Sequence, residues 1–180
     1  MRKISIFASA VAFVWLLGGQ VSAAEKSDDK KHAELAKVLG SDKVSLDKGL
    51  AASESQGNPI SAKYELEDGK LQLSVYTVQS DKFFETIVDQ FFWVVVDYNS
   101  GSVAKTEPIT VGDDLDNAIA QRDGMDKAKV SLRKATEKAV KDNKGYRAVS
   151  VTPSLKEGHP VAEILLIRGE EFKTASEKLD

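Results

Sequence analysis

Histidine is the side chain best suited to acid–base chemistry near neutral pH, and the chain has two, His32 and His159. His32 lies in a polar segment, and His159 stands between Gly158 and Pro160 in a predicted turn. A catalytic base needs partners held within hydrogen-bonding distance, which neither setting offers. The chain also lacks the Gly-x-Ser-x-Gly, His-Glu-x-x-His and glycine-rich phosphate-loop motifs. We therefore predict a protein that is not an enzyme and uses no cofactor.

Three closely spaced carboxylates, Asp113, Asp114 and Asp116, raise the question of a calcium site. An EF-hand loop requires glycine at its sixth position and glutamate at its twelfth, and neither is found when counting from Asp113 or Asp114. Acidic residues are also favoured in the first turn of a helix, where they face the positive end of its dipole. We interpret these residues as the start of a helix rather than as a metal site.

Half of the ten aromatic residues in 24–180 fall within eleven positions: Phe83, Phe84, Phe91, Phe92 and Trp93. Three valines follow without polar alternation, which favours a strand covered on both faces. The alternative is an exposed aromatic patch, which would mark a partner site. If the strand lies at a sheet edge, it could also receive an extended peptide by strand addition. These five aromatic residues are the candidate partner surface.

Composition excludes several other classes. The chain has no cysteine, and therefore no disulfide framework, thiolate metal site, cysteine nucleophile or lipoprotein anchor. A net charge of −3 argues against a nucleic-acid binder, which normally carries a basic excess. Residues 127–147 hold eight Lys and Arg, but Lys134, Lys138 and Lys141 lie opposite the apolar stripe of a predicted helix. We interpret this run as a solvated face, with docking of an acidic partner as the alternative.

The first 23 residues have the pattern of a secretory signal peptide. Arg2 and Lys3 precede an apolar stretch, and Val21-Ser22-Ala23 supplies small residues before a cleavage point. The apolar stretch is shorter than the roughly 20 residues that span a bilayer, so we expect cleavage after Ala23 rather than a membrane anchor. The product is then predicted to be periplasmic or secreted, with no membrane span after cleavage.

The elements that would position these residues are arranged as a repeat. KVSLDKGLAASESQG at 43–57 is echoed by KVSLRKATEKAVKDNKG at 129–145. In each copy a serine, Ser45 or Ser131, is placed to cap a helix, and a glycine, Gly57 or Gly145, is placed to end it. Alternating apolar runs separated by a turn then predict an antiparallel hairpin. We predict two α+β units that share an interface, because units of this size are marginally stable alone.

The first copy resembles the PepSY family, small extracytoplasmic α+β modules found in propeptides of thermolysin-type metallopeptidases and in secreted bacterial proteins. Residues 46–57, 59–62, 67–69 and 97–103 follow the family order of helix, first strand, acidic-Gly turn and Asp-x-x-Ser/Thr-Gly-x-Val turn. The second copy matches through its helix and hairpin and lacks the last turn, and the first copy carries an additional stretch at 82–90. The resemblance implies a propeptide-like fold and the binding or inhibition of a peptidase. It implies no catalytic residues.

The predicted fold class is α+β, two PepSY-like units, each a helix packed on a small antiparallel sheet. The predicted organisation is a signal peptide at 1–23, a mobile lead-in and short helix at 24–42, a first unit at 43–109, a connecting helix at 110–128 and a second unit at 129–180. Whether 110–142 forms one bent helix or two is left open. We expect a non-enzymatic module that binds a protein or peptide, with a peptidase as the partner class that the resemblance implies. The alternative is a small-ligand or envelope-sensing module with a pocket between the two units.

Overall fold

A computed structural model describes residues 23–40, 43–83 and 86–180 of the chain. The helices in these residues are α1 Ala23–Val38, α2 Leu46–Ser53 with a 3₁₀ turn Glu54–Gln56 after it, α3 Asp113–Met125 and α4 Leu132–Asp142. The strands are β1 Asn58–Glu67, β2 Lys70–Phe83, β3 Thr86–Val96, β4 Val103–Ile109, β5 Arg147–Lys156, β6 His159–Arg168 and β7 Glu171–Lys178. The predicted α+β class is confirmed, with more strand than the sequence patterns suggested.

All seven strands form one antiparallel sheet in the order β4-β3-β2-β1-β5-β6-β7. Strands β1–β4 make one half and β5–β7 the other, and the halves meet where β1 pairs with β5. This seam has two residue pairs, Ala62 with Val151 and Lys63 with Ser150. The two small sheets anticipated from the sequence are therefore joined into a single sheet. Its division into PepSY-like units stays a prediction.

Helices α2 and α4 cover one face of the sheet and hold its main core. Leu50 of α2 and Leu132 of α4 are buried in one cluster with Leu73 of β2 and Ile164 of β6. Gly49 allows α2 to approach the sheet closely, since a Cβ at this position would lie 2.6 Å from Leu73 Cδ2. The small residues of the first helix are therefore explained by close packing on β2.

Helix α3 lies on the opposite face and crosses the seam, in contact with β1 and β2 of one half and with β5 and β6 of the other. Ala118 of α3 is buried against Ile60, Val78 and Phe91, and Val78 and Phe91 are direct cross-strand neighbours. The question of one helix or two over 110–142 is settled by the backbone. The amides of Lys129 and Val130 both donate to the carbonyl of Leu179, at 2.6 and 3.0 Å, which draws the chain out of helical geometry between α3 and α4.

Helix α1 packs against β7, in the β5–β7 half of the sheet. The ring of His32 stacks on Phe172 of β7, with centroids 4.5 Å apart, and Leu35 and Leu39 are buried. Val38 is exposed. The short helix predicted within 24–42 is present and extends over Ala23–Val38, and the alanine, glutamate and lysine residues of this segment are good helix formers.

Two irregularities recur in the two halves of the sheet. The register shifts between Pro59 and Ser61 in the first strand of one half, and between Ala148 and Ser150 in the first strand of the other. In both halves that strand leads into a meander, β1-β2-β3 or β5-β6-β7. The repeated sequence segments thus precede strands with the same local distortion.

The residue before each N-cap serine is hydrogen-bonded to a residue that follows the third strand of its meander. Val44 N donates to the carbonyl of Tyr98 at 2.9 Å, just after β3. Val130 N donates to the carbonyl of Leu179 at 3.0 Å, just after β7. These paired hydrogen bonds fix each helix at the same place relative to its meander.

The predicted helix caps are confirmed in part. Ser131 Oγ accepts a hydrogen bond from Lys134 N at 3.3 Å, as expected of a capping serine. Ser45 has the same extended backbone, but its side chain makes no capping bond, so that prediction is wrong for the first copy. Gly57 and Gly145 both take positive φ after their helices, at 128° and 84°. Residues 1–22 of the predicted signal peptide lie outside the described residues.

Candidate functional site

Strands β2 and β3 continue beyond the sheet as a two-stranded projection. The pairing runs from Gln79 with Gln90 out to Phe83 with Thr86. β1 accompanies β2 only as far as Val78, and β4 accompanies β3 only as far as Phe91. We call residues 79–83 and 86–90 the β-arm. Neither of its outer edges pairs with a strand in the part of the chain that the structure describes.

The β-arm exposes large apolar side chains. Ile87 is 69% exposed and Val88 is 45% exposed. Successive strand residues point to opposite faces, so Ile87 lies on the face that carries α3 and Val88 on the face that carries α2. An isolated hairpin gains little stability from such residues in water, because much of their apolar surface stays exposed.

The other half of the sheet shows how short this connection can be. Twelve residues separate Val78 from its cross-strand neighbour Phe91, whereas four separate the equivalent pair, Ile167 and Phe172. The additional stretch noted at 82–90 in the sequence is therefore the outer part of the β-arm. A closed hairpin on this sheet does not require it.

The base of the β-arm is tied to α3. Arg122 Nη1 lies 3.3 Å from an oxygen of Asp89, and Ser80 Oγ donates to the other oxygen of Asp89 at 2.6 Å. Arg122 also lies within 3.5 Å of carboxylate oxygens of Asp123, in α3, and of Asp126, which directly follows α3. Because Asp89 and Arg122 are both partly buried, this contact holds the direction in which the β-arm leaves the sheet.

The five predicted aromatic residues do not form one patch. Phe84 lies outside the described residues, and for Phe83 the structure describes the backbone pairing with Thr86. Phe91 is buried under α3, and Phe92, one residue on, is half-buried against the core on the other face. The idea that their strand is a sheet edge is wrong for Phe91–Val96, because β3 lies between β2 and β4 there.

Trp93 is partly buried and is held by contacts with two neighbouring strands. Its indole Nε1 donates to Ser74 Oγ at 3.0 Å, and Ser74 Oγ donates to Glu65 at 2.7 Å. The ammonium of Lys105 lies 5.0 Å from the centroid of the Trp93 rings, within the range of a cation–π contact. These contacts fix the position of the Trp93 side chain on the face of the sheet that carries α3.

The start of α3 brings negative charge to the same face. Burial raises the pKa of Asp114, Lys63 opposes this, and Asp113 and Glu65 raise it further. Burial, together with Glu65 and Asp114, also raises the pKa of Tyr76. Several carboxylates therefore lie close together between β1 and the first turn of α3.

The remaining candidates have ordinary structural settings. Asp113, Asp114 and Asp116 occupy the first turn of α3, and no group of metal-binding side chains is found in the described residues. His159 Nδ1 lies 2.8 Å from Asp180 at the exposed end of the sheet. The basic face is partly neutralised, since Lys138 lies 2.7 Å from Asp142 and 2.9 Å from Glu177.

Two concave regions among the described residues lie away from the seam between the two halves. One is lined by the start of α2 and the turn after β3, at 43–45, 48 and 99–101. The other is lined by α1 and the β6–β7 turn, at 32–33, 37, 170 and 172. The pocket between two units stays a prediction.

No family model matches the chain, and neither a curated protein nor a solved structure matches it. No helix in the described residues is long and apolar enough to cross a membrane.

Sequence reasoning noted the additional stretch at 82–90 but did not single out the residues that expose the β-arm or tie it to α3: Ser80, Ile87, Val88, Asp89 and Arg122. The signal for the β-arm was this difference in length between the two hairpins. The contact between Asp89 and Arg122 left no such signal, because it joins residues 33 positions apart on different elements.

Proposed function

We propose that this chain is a secreted or periplasmic, non-enzymatic module that binds a protein partner through the β-arm. The observation that carries the proposal is that Ile87 and Val88 are exposed on a projection whose two outer edges pair with no strand among the described residues. Exposed apolar side chains of this kind mark interaction sites, and an unpaired strand edge offers backbone groups to a partner. The PepSY resemblance supports the same class of function and makes a peptidase the first partner to test.

The position of the β-arm supports this assignment over a structural role. Among its described side chains, Ile87 and Val88 are exposed and belong to neither buried cluster, and the equivalent hairpin β6–β7 has no such projection. The contact between Asp89 and Arg122 holds the projection in a defined direction. An ordered projection loses less conformational freedom on binding than a flexible loop does.

The test is chemical crosslinking of the purified chain in an extracytoplasmic extract, followed by mass spectrometry. The test variant is Ile87→Ser with Val88→Ser, and the matched control is Leu155→Ser, which removes a side chain 46% exposed at the tip of the β5–β6 hairpin. We expect a protein that the parent and the control capture, that crosslinks within 79–90, and that the test variant loses.

Capture of the same protein by all three chains, or crosslinks confined to other segments, would contradict the proposal. If the captured protein is a peptidase, its activity on a peptide substrate is then measured with and without the chain. The melting temperature of each variant is recorded first, because substitutions at exposed sites should leave stability within about 0.5 kcal/mol of the parent.

A further inference from the structure

The outer edge of β3 in the β-arm, residues 86–90, differs from the two edge strands of the sheet. β4 carries a lysine, a glutamate and a proline, and β7 carries two glutamates and two lysines, Glu171, Lys173, Glu177 and Lys178. Charged residues and proline discourage a further strand from adding to an edge. Thr86, Ile87 and Val88 provide neither, and the charged residue of this edge, Asp89, is partly buried in its contact with Arg122.

Negative charge surrounds this edge. The described residues of the β-arm and α3 together hold six carboxylates and two cationic side chains, a net charge of −4, whereas the whole chain carries −3. Asp81, Asp113, Asp116 and Asp123 of this set are exposed. A partner that meets this surface is therefore favoured when it is basic.

The acidic start of α3 lies within reach of the free edge. β4 leaves β3 at Ile109, which pairs with Phe91, next to the last residue of the free edge. Asp113 follows Ile109 by four residues, so it lies at most about 14 Å away along the chain. The edge, the end of β4 and the first turn of α3 are thus close enough for one short segment to contact all three.

We propose that the outer edge of Thr86–Gln90 receives an extended segment of the partner as an additional strand, and that this segment combines apolar residues with lysine or arginine. Its backbone pairs with the free edge, and its alternate side chains lie beside Ile87 on one face and Val88 on the other. Its cationic residues face Asp113 and Asp116 at the end beside β4. The inference rests on the proposed function, since it names the partner segment for the same β-arm.

The test uses three fluorescent eight-residue peptides and the full chain. The first alternates lysine and valine, the second alternates glutamate and valine, and the third is the lysine peptide with N-methylated backbone amides. Fluorescence anisotropy should show binding of the lysine peptide, at least about tenfold weaker binding of the glutamate peptide, and no binding of the methylated peptide, which cannot donate to a strand edge.

The charge contribution is tested with matched variants of the chain. Asp113→Asn with Asp116→Asn should weaken lysine-peptide binding about three- to tenfold, with a smaller effect at high salt. Glu137→Gln with Glu157→Gln, which removes two exposed carboxylates from the other half of the molecule, should change it less than twofold.

Equal binding of the lysine and glutamate peptides, or binding of the methylated peptide, would overturn the inference. So would the absence of any peptide binding by a chain whose Ile87→Ser and Val88→Ser variant still loses its captured protein, and in that case the proposed function would stand. If that variant keeps its captured protein, the proposed function itself fails.

Discussion

Replacing Gly57 by alanine should destabilise the fold strongly, because this glycine lies where β1 begins and the β-arm departs. Its backbone, at φ 128° and ψ 178°, is in a region that is essentially restricted to glycine. A Cβ there would also lie 2.7 Å from the carbonyl oxygen of Val78, an atom of a central strand that cannot rotate away. Backbone strain of this kind costs about 1–3 kcal/mol. With the added clash we expect about 3 kcal/mol.

Gly69 provides the matched control. It also has positive φ, at 74°, but no atom lies within 4 Å of a Cβ built on it. Alanine at Gly69 should therefore cost about 1 kcal/mol, the ordinary penalty of a left-handed residue. Urea denaturation followed by circular dichroism gives both free energies of unfolding. A loss at Gly57 within about 0.5 kcal/mol of the loss at Gly69, or smaller than it, would refute the reasoning.

Three further predictions test the account of the core, the β-arm and an acidic turn. Phe91→Ala should cost about 3–5 kcal/mol in urea denaturation, because Phe91 is buried under α3, and a loss below about 1 kcal/mol would contradict that placement. Arg122→Met should speed hydrogen exchange in the β-arm, because Asp89 loses its cation, and unchanged exchange would show that this contact does not hold the β-arm. Hydrogen bonds from Ser100 lower the pKa of Asp97, so its charge stabilises the fold above the ordinary Asp pKa and ceases to do so as the pH falls through the lowered value. Asp97→Asn should therefore melt below the parent at pH 7, with a gap that closes towards about pH 2, and a gap that widens on acidification would contradict this sign.

Local patterns in the sequence predicted the local structure well. The helices after Ser45 and Ser131 and the tight turn at Asp68-Gly69 depend on spacing and on turn chemistry within a few residues. Both kinds of signal depend on residues that are close together in the chain, so they can be recognised in a single sequence.

The pairing of strands could not be predicted in the same way. The aromatic run was assigned either to a covered strand or to an exposed patch, and β3 is an inner strand at Phe91 but has a free edge at Thr86. Whether the outer edge of β3 is paired depends on β4, which lies at 103–109 in the chain. No pattern within β3 itself indicates where this pairing ends.

The candidate partner surface of five aromatic residues stays a prediction, and the structure places these residues differently from one another. Alternation along β3 sends Phe91 and Phe92 to opposite faces, where each packs on a helix. The exposed residues, Ile87 and Val88, carry no aromatic ring and gave no compositional signal. Their exposure follows from the length of the β-arm beyond β1 and β4, which depends on where three other elements end.

The most direct test of the central claim, that the β-arm binds the partner, is hydrogen–deuterium exchange of the chain with and without its captured protein. Thr86–Gln90 has no strand on its outer side in the described part of the chain, so its outward amides should exchange rapidly when the chain is alone. We predict marked slowing at 86–90 in the complex and little change at 103–109 in β4. Unchanged exchange at 86–90, with protection appearing at 103–109 instead, would contradict the account.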